Sequence, residues 1–213
     1  MLMTGEPSTS DHSAGGTRLL DPRADSSTSI ESALRRRRSV REFSKEPLTL
    51  AEVSQMLWAA QGIIDPEGKR TAPSAGALYP LEVFLVAGNA GDLPAGVYRY
   101  RPQAHELVCI AEGDRRAKLA AAALEQEWLA EAPVTIAFAA VYERTARKYR
   151  QRAERYVHME VGHAAQNVHL QAAALDLGTV VVGAFDDAEV KQVLALADNE
   201  QPVCLMPVGR PQP

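Results

Sequence analysis

The sequence predicts a single α+β domain in which helices flank a central mixed or antiparallel sheet. The chain has 213 residues, of which 46% are hydrophobic, and this suits one sizeable core. Helical and strand-like segments are intermixed along the chain. Residues 96–113 have the pattern of a β-hairpin, which breaks the strict alternation of a doubly wound fold. A doubly wound parallel sheet is therefore less favoured.

Two parts are predicted along the chain. Residues 1–28 are rich in Ser, Thr, Gly and Asp and lack apolar periodicity, so we expect a disordered or loosely draped leader. The folded domain is expected to span residues 29–213.

Helices are predicted from apolar residues three and four positions apart and from capping residues. Thr49 and Glu52 have the spacing of a capping box, and Gly62 is expected to end the helix that follows. Gly178 is expected to end the longest helix as the residue after its C-cap. The predicted helices cover 30–38 with Thr28 or Ser29 as N-cap, 49–62, 114–129 capped by Asp114, 145 or 152 to 177, and a segment capped by Asp186.

Strands are predicted from short apolar and β-branched runs that are bounded by turn-forming residues. The runs at 81–88 and 134–142 are apolar almost throughout, which is typical of buried central strands. The predicted strands are 81–88, the hairpin 96–113 with its turn around 102–104, 134–142, 179–185 and 203–209.

Composition disfavours several classes of function. A net charge of −4 and 6% aromatic residues argue against a dedicated nucleic-acid-binding protein. No apolar run is long enough to predict a membrane span. Cys109 and Cys204 lie in apolar runs without zinc-site spacing, so we expect two buried, reduced thiols in a cytoplasmic protein. His158 and His163 do not share a helix face, and no metal site is predicted.

A basic segment, RRRRSVREF at residues 35–43, is the first candidate site. Its guanidinium groups and hydroxyl suit the terminal phosphate of a ligand. A solvated basic face at a helix C-terminus explains the same residues, because the helix dipole favours cations there. The segment alone leaves both interpretations open.

A second segment, APSAGALYPLEVFLV at residues 72–86, places small residues before a strand. Gly76 and its short neighbours permit a flat ligand to approach the backbone closely. An ordinary loop fits the pattern equally well.

These two segments, together with residues 148–187, resemble the nitroreductase-like flavoproteins over about residues 30–210. Their order is similar to that of the SagB-type branch, whose best-known members oxidise azoline rings in ribosomal peptides. The resemblance implies a sheet surrounded by helices and a homodimer with FMN at the interface between its two chains.

The resemblance also implies roles for individual residues. The basic segment and Arg210 would hold the FMN phosphate, whereas the 74–76 loop, Asn167 and the strand end at 182–184 would line the flavin ring. Lys148 and Tyr149 match a pair that is proposed to handle a proton, although an exposed basic helix entry is the alternative. The implied cofactor-binding residues are Arg37, Arg38, Ser39, Arg41, Ser74, Ala75, Gly76, Asn167, Val182, Gly183, Ala184 and Arg210.

The predicted function is that of an FMN-dependent oxidoreductase that oxidises a heterocycle or a peptide-derived substrate. An NAD(P)H-dependent nitro or quinone reductase, with NAD(P)H as co-substrate, is the first alternative. A non-catalytic flavin-binding or storage protein is the second. Small residues along the longest helix, including Gly162, Ala164 and Ala165, favour close packing in a homodimer.

Overall fold

A seven-stranded antiparallel sheet runs through the computed structural model of the chain, which describes residues 16–212. Its strands are β1 (Thr17–Arg18), β2 (Leu81–Ala87), β3 (Gly96–Arg101), β4 (Glu106–Glu112), β5 (Val134–Ala140), β6 (Gly178–Thr179) and β7 (Gln201–Gly209). Their order across the sheet is β1-β4-β3-β2-β5-β7-β6, and every neighbouring pair is antiparallel. Of the two predicted sheet types, the antiparallel one is confirmed.

Helices pack on both faces of this sheet. They are α1 (Ile30–Arg36), α2 (Leu50–Gln61), α3 (Arg116–Ala122), α4 (Trp128–Glu131), α5 (Tyr142–Tyr149), α6 (Ala153–Ala174) and α7 (Asp187–Val193). Short 3₁₀ turns cover Ala75–Ala77 and Arg150–Arg152. Within residues 16–212, no helix combines the length and the apolar character that are needed to cross a bilayer.

The central strands contribute to two hydrophobic clusters, because successive side chains point to opposite faces of a strand. On β2, Val83 and Leu85 belong to the cluster that includes side chains of α2 and α6. Phe84 and Val86 belong to the opposite cluster, which includes side chains of α3 and α7. The strand β5 is buried at every position. The apolar runs of the sequence therefore occupy the centre of the sheet, as predicted.

The predicted helix starts are largely confirmed. Ser29 caps α1 by accepting a hydrogen bond from the backbone N–H of Ser32. Thr49 and Glu52 form the predicted capping box of α2. Asp186 caps α7 in the same way as Ser29 caps α1.

The prediction of a disordered leader does not hold for residues 16–28, and residues 1–15 lie outside the described part of the chain. Thr17–Arg18 pairs with β4, and Leu19 is buried in the core. The Gln55 side chain bonds both the N–H and the C=O of Arg23. The burial of Leu19 and hydrogen bonds to the backbone of residues 19–23 hold the segment, which composition alone does not reveal.

Two helix predictions are wrong in detail. The segment 114–129 forms two short helices, because Leu124 and Glu125 both have a φ of +58° and cannot continue a helix. At the end of α6, Asp176 with a φ of +57° occupies the position that was assigned to Gly178. The N–H of Leu177 closes the end by bonding to the Ala172 carbonyl at 2.8 Å.

Gly178 has another role, because Val40 packs directly against it. A Cβ at Gly178 would lie 2.6 Å from the Cβ of Val40, so no larger residue fits there without movement. The predicted strand 179–185 is also shorter than expected: β6 ends at Thr179, and pairing resumes only as a bridge between Val182 and Leu205.

One of the two cysteine predictions is wrong. Cys204 is buried, and burial raises the pKa of its thiol to about 12. Cys109 is exposed on β4. The short outer strand β1 pairs with only Glu106 and Leu107 of β4, so it does not cover Cys109.

Candidate active site

The basic segment lies where the end of α1 meets β6 and the C-terminal end of α6. The N–H of Val40 donates to the Thr179 carbonyl at 3.0 Å, and Ser39 and Thr179 form a parallel bridge. A cavity of about 300 Å³ opens beside this junction. Arg37, Arg38, His169 and Thr179 are among the residues that line it. We call it the α1–β6 cavity.

Two buried polar atoms in the α1–β6 cavity lack partners. Neither the Thr179 Oγ1 atom nor the His169 Nδ1 atom has a hydrogen-bond partner within residues 16–212. Buried polar groups in folded proteins are nearly always hydrogen-bonded. Burial, and to a smaller extent the charge of Arg37, lowers the pKa of His169. The half-buried Arg37 is in no ion pair of the described chain, so this lining fits an anionic group.

Not every arginine of the basic segment is directed at a ligand. The Arg38 guanidinium folds back onto the carbonyls of Arg35, Arg36 and Arg37, where it caps its own helix. Arg36 donates to Asp176 at 2.9 Å and to the Ala173 carbonyl at 2.5 Å. Arg36 therefore fixes α1 on the end of α6.

The two remaining basic candidates, Arg41 and Arg210, have partners of their own. Arg41 is exposed, and its guanidinium lies 5.8 Å from the centre of the Trp128 ring. Arg210 pairs with Glu52 at 2.8 Å and with Glu46 at 3.1 Å. Arg210 is not among the residues that line the α1–β6 cavity. Glu46, which precedes α2, and Glu52 in its first turn hold the Arg210 charge instead.

The loop 74–76 and the Lys148–Tyr149 pair are brought together. Gly76 has a φ of +65°, and a Cβ there would lie 3.0 Å from both the Lys148 Nζ atom and the Tyr149 hydroxyl oxygen. The Ser74 hydroxyl accepts a hydrogen bond from the Tyr79 N–H at 2.9 Å, which closes the loop. The sequence predicted both segments separately, and their contact is a finding of the structure.

A break between two helices presents this pair. The helix predicted to start at 145 or 152 is two helices: α5 ends at Tyr149, Arg150 has a φ of +50°, and α6 starts at Ala153, next to the second predicted start. Lys148 is exposed, and it forms no ion pair with any residue that the structure describes. The Tyr149 ring packs edge-on against Tyr156, with 4.7 Å between the ring centres. The pair thus occupies a corner where side chains are accessible and the tyrosine is fixed.

Glu160 of α6 lies under the loop and was missed by the sequence analysis. It is only 2% exposed, next to Ser74 and Gln61. Burial raises its pKa to about 7. Glu160 falls on the apolar stripe of α6, three residues after Val157 and four before Ala164, so the pattern contained a signal. A carboxyl group on such a stripe indicates a buried acid.

Two further α6 side chains hold the same loop. The Asn167 amide donates to the Thr71 carbonyl at 3.2 Å, and His163 Nδ1 lies 3.2 Å from the Pro73 carbonyl oxygen. Asn167 is half-buried and also lines a separate cavity of about 400 Å³ beside Trp58. In this structure, the Asn167 side chain therefore positions the loop.

The strand end at 182–184 exposes backbone. Val182 is buried and exchanges both backbone hydrogen bonds with Leu205. Gly183 is exposed, with open space where a side chain would begin. The Ala184 carbonyl accepts a hydrogen bond from Gln126 at 2.8 Å. A flat group can reach the backbone at Gly183 without meeting a side chain there.

Residues 34–210 match the family model described as "Nitroreductase family". This chain belongs to the nitroreductase family. Membership of this family makes it an oxidoreductase enzyme, and nitroreductase-family proteins generally bind the flavin FMN.

Among relatives of this nitroreductase-family chain, MJ1384, a candidate nitroreductase of Methanocaldococcus jannaschii, is 50% identical over 85% of this chain and 90% of its own length. The microcin B17-processing protein McbC of Escherichia coli is 30% identical over 71% of this chain. The trifolitoxin operon protein TfxC of Rhizobium leguminosarum is 28% identical over 91% of it. The matches span about three fifths of the latter two proteins, 58% of McbC and 59% of TfxC.

Solved structures agree with the family assignment. A candidate nitroreductase from Ralstonia eutropha superposes with a TM-score of 0.83 at 28% identity, covering 100% of this chain and 97% of that one. The microcin synthetase McbBCD complex of Escherichia coli contains a chain with a TM-score of 0.71 at 24% identity, covering 100% of this chain and 85% of its own length. This second likeness shows the fold. The nitroreductase fold predicted from the sequence is confirmed.

Changing Gly76 tests the geometry of the loop in this nitroreductase-family chain. We expect Gly76→Ala to lower the free energy of unfolding by about 1–2 kcal/mol, because a Cβ is unfavourable at this positive φ. Urea unfolding measures the change, and an unfolding free energy that is unchanged or higher in Gly76→Ala would contradict the assigned loop conformation.

Proposed function

We propose that this oxidoreductase binds FMN and catalyses a SagB-type dehydrogenation, in which a heterocyclic or peptide-derived substrate is oxidised. The observation that carries the proposal is the contact of the Gly76 loop with Lys148 and Tyr149. Similarity to McbC, which is named for processing microcin B17, supports a substrate of this class. When bound, FMN would supply a two-electron acceptor for the substrate hydride and a carrier of those electrons to a second substrate.

The chain's own residues would hold the cofactor by its phosphate. Arg37 offers a guanidinium fork at the α1–β6 cavity, and the Thr179 hydroxyl and the His169 ring nitrogen offer the polar atoms that lack partners. Ser39 and Arg41 lie on the same stretch of chain and complete the predicted clamp. Arg38 and Arg210 serve the fold through their capping and ion-pair contacts.

The loop and the exposed strand end would line the flavin ring. Ser74, Ala75 and Gly76 present short side chains, and Gly183 leaves its backbone open. Asn167 contributes by fixing the Thr71 carbonyl and with it the start of the loop. The proposed division places phosphate binding on α1 and β6, and ring binding on the 74–76 loop and residues 182–184.

Lys148 and Tyr149 would manage the proton. A dehydrogenation removes a hydride and a proton from adjacent substrate atoms, so a base must accept that proton. Lys148 is exposed at the corner between α5 and α6, where its Nζ atom is accessible to a bound substrate. The Tyr149 hydroxyl, held by the packing of its ring on Tyr156, donates a hydrogen bond that orients the substrate.

The phosphate clamp is tested by removing its central arginine. We expect Arg37→Ala to weaken FMN binding about 10- to 100-fold, because it removes a charge-assisted hydrogen bond. Arg41→Ala is expected to weaken it less. Quenching of flavin fluorescence on binding gives the affinities, and Arg35→Ala, a change of an exposed residue, serves as the control. Unchanged affinity in both the Arg37 and Arg41 variants would overturn the clamp.

We further propose that the active unit is a homodimer. Ile30 and Leu34 expose 56% and 54% of their surface on one side of α1, and Met159 exposes 51% on α6. Large exposed apolar side chains of this kind often lie in protein interfaces. Light scattering at micromolar concentration is expected to give twice the monomer mass. A monomer that still binds FMN would contradict the proposal.

A reductase is the second candidate, and the relation to MJ1384 favours it. In this case NADH or NADPH would give the hydride, and a nitro compound or quinone would accept the electrons. Anaerobic addition of each nicotinamide to the FMN-loaded protein separates the candidates. Bleaching of the flavin absorbance supports the reductase, and flavin that resists both nicotinamides supports the dehydrogenase. A loaded protein without turnover on any donor or acceptor would indicate flavin storage.

A further inference from the structure

A third cavity, lined by four arginines, lies at the end of the sheet where β2 begins and β3 ends. It has a volume of about 260 Å³ and is here called the arginine pocket. Its charged lining comprises Arg70, Arg99, Arg101, Arg144 and Glu82. None of these residues belongs to the proposed FMN site. So many arginines in one small cavity need either carboxylate partners or a ligand.

Carboxylates of the fold account for three of the four arginines. Arg99 pairs with Glu82 at 3.0 Å and with Glu200 at 2.7 Å. Arg144 pairs with the other oxygen of Glu82. Arg101, at the mouth, pairs with Glu106 at 3.2 Å. Glu82 is thus shared between two arginines, and its oxygens are already used.

Arg70 is the remaining arginine, and it forms no ion pair within residues 16–212. One of its terminal nitrogens donates to Gln61 at 3.0 Å, and its guanidinium stacks 4.5 Å from the centre of the Tyr79 ring. Its Nε atom is buried and has no hydrogen-bond partner in the described chain. The guanidinium is therefore fixed in place while one of its strongest donors is unsatisfied.

Glu160 aside, the charges around the pocket leave an excess of one positive unit. Arg70, Arg99 and Arg144 carry three positive charges, while Glu82 and Glu200 carry two negative ones. Glu160 is the other carboxyl near Arg70, and burial raises its pKa to about 7, so it is only partly ionised at neutral pH. A single bound negative charge would balance this group.

We propose that the arginine pocket binds one oxyanion, a carboxylate or a phosphate monoester, with Arg70 as its principal ligand. A carboxylate or phosphate matches the fork of a guanidinium group in shape. The cavity is large enough for such a group and for a short organic stem. The proposal does not depend on the activity proposed above, because it concerns a different set of side chains.

The pocket adjoins the Gly76 loop, so its ligand would lie close to the proposed active site. Arg144 stands one helical turn before Lys148 on α5. Arg144 also donates to the Tyr79 carbonyl at 3.0 Å, and the Tyr79 N–H bonds to Ser74. The bound oxyanion is therefore either a free anion or the acidic group of a larger ligand that extends towards Lys148.

The test follows the arginine Nε–Hε signals of the purified protein, without added FMN, by ¹⁵N NMR. Sodium acetate and sodium phosphate are titrated separately at constant ionic strength, and Arg70 is assigned from the signal that disappears in Arg70→Lys. We expect a saturable shift of the Arg70 signal with at least one of the two anions. A longer acid such as succinate, if it binds more tightly than acetate, would indicate the organic source.

Variants make the result specific to Arg70. We expect Arg70→Gln to weaken binding about tenfold or more, as measured by calorimetry, because it removes a charge-assisted bond. The matched change Arg101→Gln, at an exposed and already paired arginine, is expected to have little effect. Arg37→Ala is expected to leave the Arg70 shift intact, which separates this pocket from the phosphate clamp.

Two results would overturn the proposal. One is an Arg70 signal that does not shift, or that shifts linearly without saturation, since this would show that no site is present. The other is equal loss of affinity in the Arg70 and Arg101 variants, since this would indicate general charge screening. The wild-type titration remains decisive even if Arg70→Gln is poorly folded.

Discussion

Replacing Lys148 by Met is expected to lower turnover about 10²- to 10⁴-fold, the usual contribution of a general acid or base, while FMN stays bound. Met keeps the unbranched stem but lacks the Nζ atom that contacts the Gly76 loop. Lys148 is exposed and forms no ion pair in the described chain, so the fold does not depend on its charge. Steady-state turnover and the flavin-to-protein absorbance ratio measure the two properties.

Arg147→Met is the matched control for this prediction. Arg147 is the preceding basic residue of α5 and is also exposed. Its replacement changes the charge of the helix by the same amount but leaves the Gly76 contact in place. If both variants lose activity equally, the loss comes from the basic surface and not from Lys148. If the Lys148 variant keeps full turnover, the assigned proton transfer is wrong.

Replacing Glu160 by Gln is expected to stabilise the protein above neutral pH. Burial raises the pKa of Glu160 to about 7, whereas the carboxyl has its ordinary pKa near 4.5 when the chain is unfolded. Between these values the unfolded chain loses the proton and the folded chain keeps it, so stability falls as pH rises. Ionisation of Glu160 lowers the free energy of unfolding by about 3 kcal/mol at pH 8, and this loss is absent below pH 4.5.

Urea unfolding at pH 4.5 and pH 8 tests this linkage. The difference in unfolding free energy between Glu160→Gln and the unmodified protein is expected to be small at the lower pH and about 3 kcal/mol at the higher pH. Glu154→Gln, an exposed change on the same helix, is expected to stay within about 0.5 kcal/mol at both. An equal offset for Glu160→Gln at both pH values would show that its carboxyl titrates normally.

Local sequence signals predicted most of the helix and strand positions. The capping box at Thr49, the N-caps at Ser29 and Asp186, and the hairpin at 96–113 each depend on residues that are close in the chain. Apolar runs identified β2 and β5 because both strands are buried on both faces.

Features that depend on distant contacts were not predictable in this way. Residues 16–28 are held by Gln55 and by the burial of Leu19, contacts that composition cannot show. The positive φ value at Leu124 divides one predicted helix, and the one at Arg150 separates α5 from α6, both at non-glycine residues where the sequence offers no breaker. Asp176 also has a positive φ, and it ends α6 in place of the glycine that was expected there.

The candidate active site was likewise only partly predictable from the sequence. Resemblance to the nitroreductase family placed Arg37, Gly76 and Lys148 on functional segments, and the structure brings the last two into contact. It could not show that Arg38 caps its own helix or that Arg210 is neutralised by Glu46 and Glu52. A motif gives the type of side chain, whereas the fold decides which charges remain free for a ligand.

The absorbance spectrum of the purified protein after incubation with FMN and removal of free flavin tests the central claim most directly. The account predicts flavin bands near a ratio of one FMN per chain, with weaker retention in Arg37→Ala. A protein without flavin bands after this incubation would contradict the proposed cofactor site, and with it the proposed dehydrogenase activity.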